Sequence, residues 1–373
     1  MNIQMVDLYG QYMKIKNEVD QAMQEVIASS VFVKGGKVFE FEENLRNYLN
    51  VSEAITCGNG TDALQMAFMA LNLQPGDEVI TTPFTFVSTL EVLVLLKLKP
   101  VLADIDPGTF NISPEKLKEK ITPKTRAIVP VHLYGQCAPM EEIMEIARQH
   151  GLYVIEDMCQ ALGADYIFTD GTRTKAGTIG DISCNSFFPT KNLGAFGDGG
   201  SVFTNDEKLG AVIRSIANHG MSKKYHYRQI GVNSRLDALQ AAILDVKLNY
   251  LDQYIAARQE AAAFYDQALG NLPEIAIPER ISYSTHSFHQ YTIKVKTGRD
   301  QLQEYLKHAG IPSMVYYPLP LHLQEAYQFL GYKKGDFPVA EECSQQVLSL
   351  PMHTELSQEQ LEYITNRIIE FYR

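Results

Sequence analysis

The sequence is poor in cysteine, and its cysteines are not spaced as metal or redox motifs. Cys57, Cys137, Cys159, Cys184 and Cys343 are scattered along the chain, with no C-x-x-C pair among them. This spacing argues against a zinc knuckle and against a disulfide framework. We therefore predict reduced, mostly buried thiols and no metal site.

Long apolar runs are also missing. The most apolar segment, 92–96, is bounded by Glu91 and Lys97 and is far too short to cross a bilayer, so we predict a buried helix there. Residues 1–7 lack the basic region followed by an apolar run that marks a secretory signal. Together these observations predict a cytoplasmic protein that does not associate with membranes.

Positive charge is in deficit. The 33 Lys and Arg residues against 44 Asp and Glu residues give a formal net charge of −11. Because nucleic-acid binders hold phosphates with clustered Lys and Arg, we expect no nucleic-acid partner. The length of 373 residues exceeds the usual size of one hydrophobic core, so we predict a large domain at 1–245 and a small one at 246–373.

From about residue 54, short β-rich runs alternate with helical patterns, which is typical of a mainly parallel sheet covered by helices. The predicted strands are 79–82, 101–104, 127–131, 153–156 and 183–187, and the predicted helices are 61–71, 85–96, 113–120 and 140–150. One long helix is predicted at 236–269, followed by a strand at 287–295 and helices at 299–309 and 358–372. The predicted fold class is α/β with a smaller C-terminal α+β domain.

Two residues point to a specific chemistry. Lys191 lies in the run 186–194 (SFFPTKNLG), and Asp157 ends an apolar strand, where open α/β sheets bind their ligands. Pyridoxal phosphate (PLP) chemistry needs a lysine amine for a Schiff base and an acid beside the ring nitrogen, so that the ring can accept electrons. Taken alone, Asp157 reads equally well as a helix N-cap.

Glycine-rich segments offer weaker signals. Residues 57–64 (CGNGTDAL) begin a helix whose free amides suit a phosphate, although an ordinary cap has the same composition. The chain has no G-x-x-x-x-G-K-[ST] motif, which disfavours an NTP-binding P-loop. The segment 194–200 does not fit a dinucleotide loop, because a strand at 201–204 follows it instead of a helix.

The order of the motifs resembles the DegT/DnrJ/StrS sugar aminotransferases over nearly the whole chain. The matching segments are 59–64 (NGTDAL), 82–86 (TPFTF), 131–135 (VHLYG), 156–161 (EDMCQA), 186–194, 231–235 (GVNSR) and 317–322 (YPLPLH). The resemblance implies the three-layer PLP fold type I of aspartate aminotransferase, with a mainly parallel central sheet.

The resemblance also implies roles for individual residues. Lys191 would carry PLP as a Schiff base and act with Asp157, which would hold the ring nitrogen. The remaining implied cofactor contacts are Gln160 at the phenolic oxygen, Phe86 stacked on the ring, the Gly60, Thr61 and Asp62 amides with the Ser186 hydroxyl at the phosphate, and Asn233 from the partner subunit. The implied substrate contacts are Arg235, also across the interface, with Tyr316 and Tyr317. On residue type alone, Phe86 would more often be a core residue.

One branch of the family has histidine at the lysine position and removes a hydroxyl group, so Lys191 favours amino transfer. The resemblance implies L-glutamate as donor, a nucleotide-diphosphate ketosugar as acceptor and a homodimer with shared sites. It leans towards 3-keto sugars of UDP or dTDP. The alternatives are a 4-keto sugar, a keto-inositol, and a PLP-fold protein that binds without catalysis.

Overall fold

The computed structural model describes residues 3–373. The helices are α1 (Leu8–Lys14), α2 (Lys16–Ser29), α3 (Gly36–Leu49), α4 (Gly60–Ala70), α5 (Ser88–Leu95), α6 (Pro114–Lys118), α7 (Met140–His150), α8 (Glu207–Ile216), α9 (Ala238–Leu248), α10 (Leu251–Leu269), α11 (Arg299–His308), α12 (Pro338–Gln346) and α13 (Gln358–Phe371). The strands are β1 (Glu53–Cys57), β2 (Glu78–Thr81), β3 (Lys99–Leu102), β4 (Thr125–Ile128), β5 (Tyr153–Asp157), β6 (Asp165–Ile167), β7 (Arg173–Lys175), β8 (Ile182–Ser186), β9 (Gly200–Thr204), β10 (Met221–Lys223), β11 (His226–Tyr227), β12 (Ile275–Ala276), β13 (Tyr291–Val295) and β14 (Val347–Leu350).

A seven-stranded sheet in the order β1-β9-β8-β5-β4-β2-β3 forms the centre of the molecule. Strand β9 is antiparallel to both of its neighbours, and the pairs β8–β5, β5–β4, β4–β2 and β2–β3 are parallel. The five predicted strands correspond to β2, β3, β4, β5 and β8, with ends shifted by a few residues. The mainly parallel sheet is therefore confirmed.

Helices cover both faces of this sheet. On one face, α4, α5 and α8 pack on apolar strand residues such as Ile155 and Val202, and on the other, α3 and α9 pack around Phe203. Helix α7 covers the second face further along, against Ile128 and Val154. Because the sheet is buried on both faces, its strands read as apolar runs rather than as alternating patterns. The three-layer arrangement of the predicted fold class is confirmed.

The C-terminal part forms a smaller α+β unit. The antiparallel sheet β12-β13-β14 packs against α10, α11 and α13 through a separate apolar core that includes Tyr265, Tyr291 and Ile364. Each fully buried side chain of this size stabilises the fold by roughly 1.5–3 kcal/mol. The domain division at 245/246 stays a prediction; that position falls inside α9.

The prediction of one long helix at 236–269 was wrong, because α9 and α10 are separate helices. The Asn249 and Tyr250 amides bond to the carbonyls three residues back, Val246 and Lys247, at 3.3 and 3.0 Å. Bonds of this kind tighten the last turn of a helix and end its regular ladder. As a result, α9 packs on the large sheet while α10 continues into the C-terminal unit.

The cysteines and the most apolar segment of the chain lie mostly in the interior. All five cysteines are free, and four of them are buried, which confirms the predicted unpaired thiols. Segment 92–96 overlaps α5, which buries Val92 and Leu93 but leaves Leu95 exposed. Across residues 3–373, no helix combines the length and apolar character needed to cross a membrane.

Candidate active site

A cavity of about 650 Å³ opens at the carboxyl ends of the parallel strands. This is where open α/β sheets place their ligands, since the connections diverge there. The predicted site residues that line it are Gly60, Thr61, Asp62, Phe86, Asp157, Gln160, Ser186, Lys191, Tyr316 and Tyr317.

Asp157, the last residue of β5, is a buried carboxylate facing this cavity. Its Oδ2 accepts a hydrogen bond from the Thr89 hydroxyl at 2.8 Å, and its Oδ1 accepts from the Cys159 amide at 3.2 Å. No helix begins at Asp157, so the N-cap reading does not apply. Within residues 3–373 it has no ion-pair partner, and a buried carboxylate in that condition favours a cationic ligand.

Lys191 lies on the loop between β8 and β9, where its amide donates to the Phe188 carbonyl at 2.8 Å. Its side chain lines the cavity, and its amine has no hydrogen-bond partner in the described part of the chain. Burial lowers the pKa of the Lys191 amine, although the nearby Cys159 and Asp157 act in the opposite direction. A lysine with a depressed pKa has a larger neutral fraction near pH 7, and only the neutral amine can attack a carbonyl carbon or accept a proton.

A second, fully buried lysine fixes the loop that carries Lys191. The Lys247 amine, on α9, donates to the Gly194 carbonyl at 2.5 Å. Burial, helped by the charge of Arg258, lowers the pKa of Lys247 to about 8. Gly194 itself must be glycine, because a Cβ there would lie 2.2 Å from the Pro189 carbonyl oxygen.

Gln160 is held in one orientation by the backbone. The Tyr134 amide donates to its Oε1 at 2.8 Å, which leaves the amide nitrogen to donate; that nitrogen lies 3.2 Å from the Tyr317 hydroxyl. The Tyr134 hydroxyl in turn donates to the Tyr316 carbonyl. The carboxamide therefore presents a donor to the cavity, as a contact to a phenolate oxygen requires.

The amino end of α4 approaches the end of β8 closely. A Cβ on Gly60 would lie 2.7 Å from the Ser186 Cβ, so only glycine fits. The Asn59 side chain caps the helix by accepting from the Asp62 amide at 2.8 Å. Of the three amides predicted at the phosphate, those of Gly60 and Thr61 thus remain free of acceptors within residues 3–373, whereas that of Asp62 is already engaged.

Phe86 is exposed at the cavity wall, with 53% of its surface accessible. The core reading of this residue is therefore wrong. Its ring lies 6.5 Å from the Tyr317 ring at a tilt of 44°. An exposed aromatic face beside the Asp157 carboxylate and the Lys191 amine suits a flat ring that carries charge.

Asn233 and Arg235 do not line the cavity of their own chain. Asn233 is exposed and pairs with Asn218 in an isolated bridge, and Arg235 is half-buried. Ser234 between them is bonded to the α4 end, since its hydroxyl donates to Asp62 Oδ2 at 2.6 Å and accepts from the Gly58 amide at 2.9 Å. The roles of Asn233 and Arg235 across a subunit interface stay predictions.

Several residues at the site were not found from the sequence. Thr89 holds Asp157, Tyr134 orients Gln160, and Thr190 and His289 line the cavity. Tyr134 belongs to segment 131–135, one of the motifs that carry the family resemblance, but the resemblance implied no role for it. No sequence motif indicated Thr89 or His289, because their contacts join positions far apart along the chain.

The DegT/DnrJ/EryC1/StrS aminotransferase family matches residues 13–369. The chain belongs to this family. A relative from Geobacillus stearothermophilus named "Pleiotropic regulatory protein" is 48% identical over 100% of this chain and 99% of its own length. The Pseudomonas aeruginosa UDP-2-acetamido-2-deoxy-3-oxo-D-glucuronate aminotransferase is 44% identical over 97% of this chain and 98% of its own. The crystal structure of S. venezuelae DesV in complex with a ketimine intermediate superposes with a TM-score of 0.95, at 35% identity over 99% of this chain and 98% of DesV.

Aminotransferases of the DegT family use PLP, and the residues of this cavity fit that cofactor. Within residues 3–373, the Asp157 carboxylate has no cationic partner, and the Lys191 amine and the Gly60 and Thr61 amides make no hydrogen bond. These are the groups that a protonated ring nitrogen, an aldehyde and a phosphate need. The exposed Phe86 ring supplies the stacking surface.

Proposed function

We propose that this protein transfers an amino group from L-glutamate to a 3-keto sugar carried on UDP or dTDP. The observation that carries the proposal is that the Lys191 amine and the buried Asp157 carboxylate line the same cavity. The name of the Pseudomonas aeruginosa relative, an aminotransferase of a UDP-linked 3-oxo sugar, supports the acceptor class.

The bound cofactor supplies an electron sink that stabilises negative charge on the substrate carbon. We propose that Lys191 is its point of attachment, Asp157 the acid at its ring nitrogen and Gln160 the donor to its phenolic oxygen. Phe86 would stack on the ring. The Gly60 and Thr61 amides, the Asp62 end of α4 and the Ser186 hydroxyl would hold the phosphate, with Asn233 of the partner chain completing that site.

Lys191 would also move the proton. Once free, its amine takes the proton from the carbon that bears the amino group of the donor, and later returns a proton to the ketosugar carbon. Burial supports this role because it lowers the pKa of Lys191 and so increases the neutral fraction near pH 7. One base then serves both half reactions.

Tyr316 and Tyr317 are proposed to line the sugar pocket, with Arg235 of the partner chain near the nucleotide. Tyr317 is well placed for this, since the Gln160 amide nitrogen fixes its hydroxyl at 3.2 Å. Exposed apolar side chains on α2, on α3 and between them, including Ile27, Phe32 and Phe39, support a homodimer. The unpaired cysteines suit a reducing compartment, and we propose the cytoplasm.

A second candidate is a regulatory protein that binds PLP or a nucleotide sugar without turnover, which the name of the Geobacillus stearothermophilus relative suggests for that protein. The retained Lys191 and Asp157 favour the enzyme, because a binding protein has no need of a free base beside an uncompensated carboxylate. A 4-keto sugar or a keto-inositol remains an alternative acceptor within the enzyme class.

The test is a panel of UDP- and dTDP-linked 3-keto and 4-keto sugars and a keto-inositol, each incubated with the PLP-loaded protein and L-glutamate. We expect an amino sugar and stoichiometric 2-oxoglutarate from a 3-keto member, and neither product from the Lys191→Ala variant. Absence of product across the panel would favour the regulatory candidate. Turnover by Lys191→Ala would refute the role of that amine.

The shared site has its own test. Lys191→Ala and Asn233→Ala chains are each expected to be inactive alone, but a mixed dimer would contain one site with both residues intact. Partial recovery of activity after mixing is the expected result. If no mixture recovers activity, Asn233 does not act across the interface.

A further inference from the structure

A smaller cavity adjoins the main one at Thr190 and His289. It measures about 280 Å³ and shares Thr190, His289, Gln290 and Tyr316 with the main cavity. Its far wall includes Gln4 and Met352. We call this space the side lobe. It falls below the roughly 300–1,000 Å³ typical of pockets for drug-sized ligands, so it suits a small ligand and excludes a nucleotide-sugar.

His289 lies at the junction of the two cavities. Only 8% of the residue is exposed, and its Nδ1 is buried without a hydrogen-bond partner in residues 3–373. Burial, followed by the charges of Lys191 and Arg258, keeps the pKa of His289 well below its usual range. Because Nδ1 is closed off from both cavities, the ring nitrogen that a ligand in the side lobe can reach is Nε2, which makes no hydrogen bond within residues 3–373.

The charges around the side lobe favour an anion. Three carboxylates, Asp62, Asp157 and Asp198, line the main cavity, whereas no acidic residue among residues 3–373 lines the side lobe. No arginine lines either cavity within the described chain, although arginine is the usual partner of a carboxylate in proteins. Within residues 3–373, His289 is the imidazole that lines the side lobe, and as a neutral ring it offers a hydrogen bond rather than a charge.

A buried arginine lies directly behind the side lobe. Arg258 donates through Nη1 to the Phe288 and Met352 carbonyls, each at 3.0 Å, and to the His289 carbonyl at 3.4 Å. Only 2% of it is exposed, and within residues 3–373 it has no acidic partner. A buried charge without a counterion is costly. An anion in the side lobe would lie next to two residues whose backbones this guanidinium holds.

We propose that the side lobe is the subsite for the amino-acid donor, in which the His289 imidazole hydrogen-bonds a donor carboxylate while Arg258 supplies positive potential from behind. The inference deepens the proposed function and rests on it for the identity of the donor. It separates the two substrates in space: the donor side chain enters the side lobe, and the nucleotide-sugar occupies the main cavity.

The experiment titrates the PLP-loaded protein with glutarate, a dicarboxylate that has no amino group and cannot react, and with glutaramide, its neutral analogue, by calorimetry. The variants are His289→Phe, which removes the polar atoms, and His289→Gln, which keeps a donor. The matched control is His353→Phe, since His353 is also a buried histidine but lines neither cavity. A second readout is the KM for L-glutamate, beside single-turnover transfer from the aminated enzyme to a ketosugar.

Wild type is expected to bind glutarate and not glutaramide. His289→Phe should weaken glutarate binding about 10-fold or more, as the loss of a hydrogen bond to a charged group does. It should raise the KM for L-glutamate similarly and lower single-turnover transfer to the ketosugar by a smaller factor, because His289 also lines the main cavity. His289→Gln should retain most of the affinity, and His353→Phe should bind like wild type. Should His289→Phe not fold, His289→Leu gives the same comparison.

Equal glutarate affinity in wild type and in the apolar His289 variant would overturn the subsite, as would an equal loss in His353→Phe. Failure of the proposed function looks different. If wild type aminates no ketosugar yet binds glutarate through His289, the subsite stands and the acceptor assignment falls.

Discussion

Replacing Lys247 by methionine should change how stability depends on pH. The Lys247 amine is fully buried, has no acidic partner within residues 3–373, and donates to the Gly194 carbonyl at 2.5 Å. Burial lowers its pKa to about 8, whereas a lysine in an unfolded chain has a pKa of about 10.4. Methionine fills a similar volume and cannot titrate.

The sign follows from proton binding. Between about pH 8 and pH 10.4 the unfolded chain keeps the Lys247 proton while the folded chain has released it, so the free energy of unfolding rises with pH across that window. At about 1.4 kcal/mol per pH unit, a gap of about 2.4 units corresponds to about 3 kcal/mol at the alkaline end. Below pH 8 both states are protonated and this contribution is absent. The lost hydrogen bond to Gly194 adds a constant of about 1 kcal/mol that does not vary with pH.

The assay is urea unfolding of wild type and Lys247→Met, followed by circular dichroism, in half-unit steps from pH 7 to pH 10. The free energy of unfolding of wild type minus that of the variant should grow by most of the 3 kcal/mol calculated above. Lys208→Met is the control, because Lys208 is exposed on α8 and makes no buried hydrogen bond within residues 3–373. The difference in free energy of unfolding between wild type and this variant should not change with pH. A flat difference for Lys247→Met as well would show that the buried amine does not titrate in this range.

Three further predictions concern the site. Asp157→Ala should bind PLP weakly and turn over orders of magnitude more slowly, because the ring nitrogen loses its charge partner; rates near those of wild type would refute its role. Thr89→Val removes the 2.8 Å bond to the Asp157 carboxylate and should weaken PLP binding by about 1.5–3 kcal/mol, measured by equilibrium titration; unchanged affinity would contradict it. Gly60→Ala places a Cβ 2.7 Å from the Ser186 Cβ and should also weaken PLP binding, whereas Gly36→Ala, with open space around it, should not.

The parallel strands and α7 were predictable because their local signals agree with their surroundings. Helix α7 matches its predicted bounds, 140–150, since an apolar stripe ends at Gly151 in a left-handed conformation, with φ of +63°. By contrast, α1, α2 and α3 were not predicted. Helix α2 buries only Val19 and Val26, so its apolar signal is faint, and α3 begins at two glycines that read as a turn.

The site divides in a similar way. Lys191 and Asp157 were predicted as site residues because their residue types and order are typical of one chemistry, and the structure places both in one cavity. The hydrogen bonds that orient the side chains of the site were not predicted. The bond from Thr89 to Asp157 and that from Tyr134 to Gln160 join different strands and loops. No spacing rule along a sequence encodes such pairs. The break between α9 and α10 was not predicted, because the local sequence favours helix throughout. Tertiary packing decides where the helix axis turns.

The adjacency of β5 and β8 in the central sheet has an evolutionary consequence. Asp157 pairs in parallel register with Cys184, and the loop bearing Lys191 leaves from the end of the same strand. Backbone pairing thus fixes the positions of Asp157 and of the loop that carries Lys191, whereas Tyr316, Tyr317 and segment 231–235 come from other parts of the chain. Under the proposed assignment, mutations in those segments would change the preferred sugar while the carboxylate and the amine keep their separation, so that acceptor preference would change during evolution without loss of the reaction.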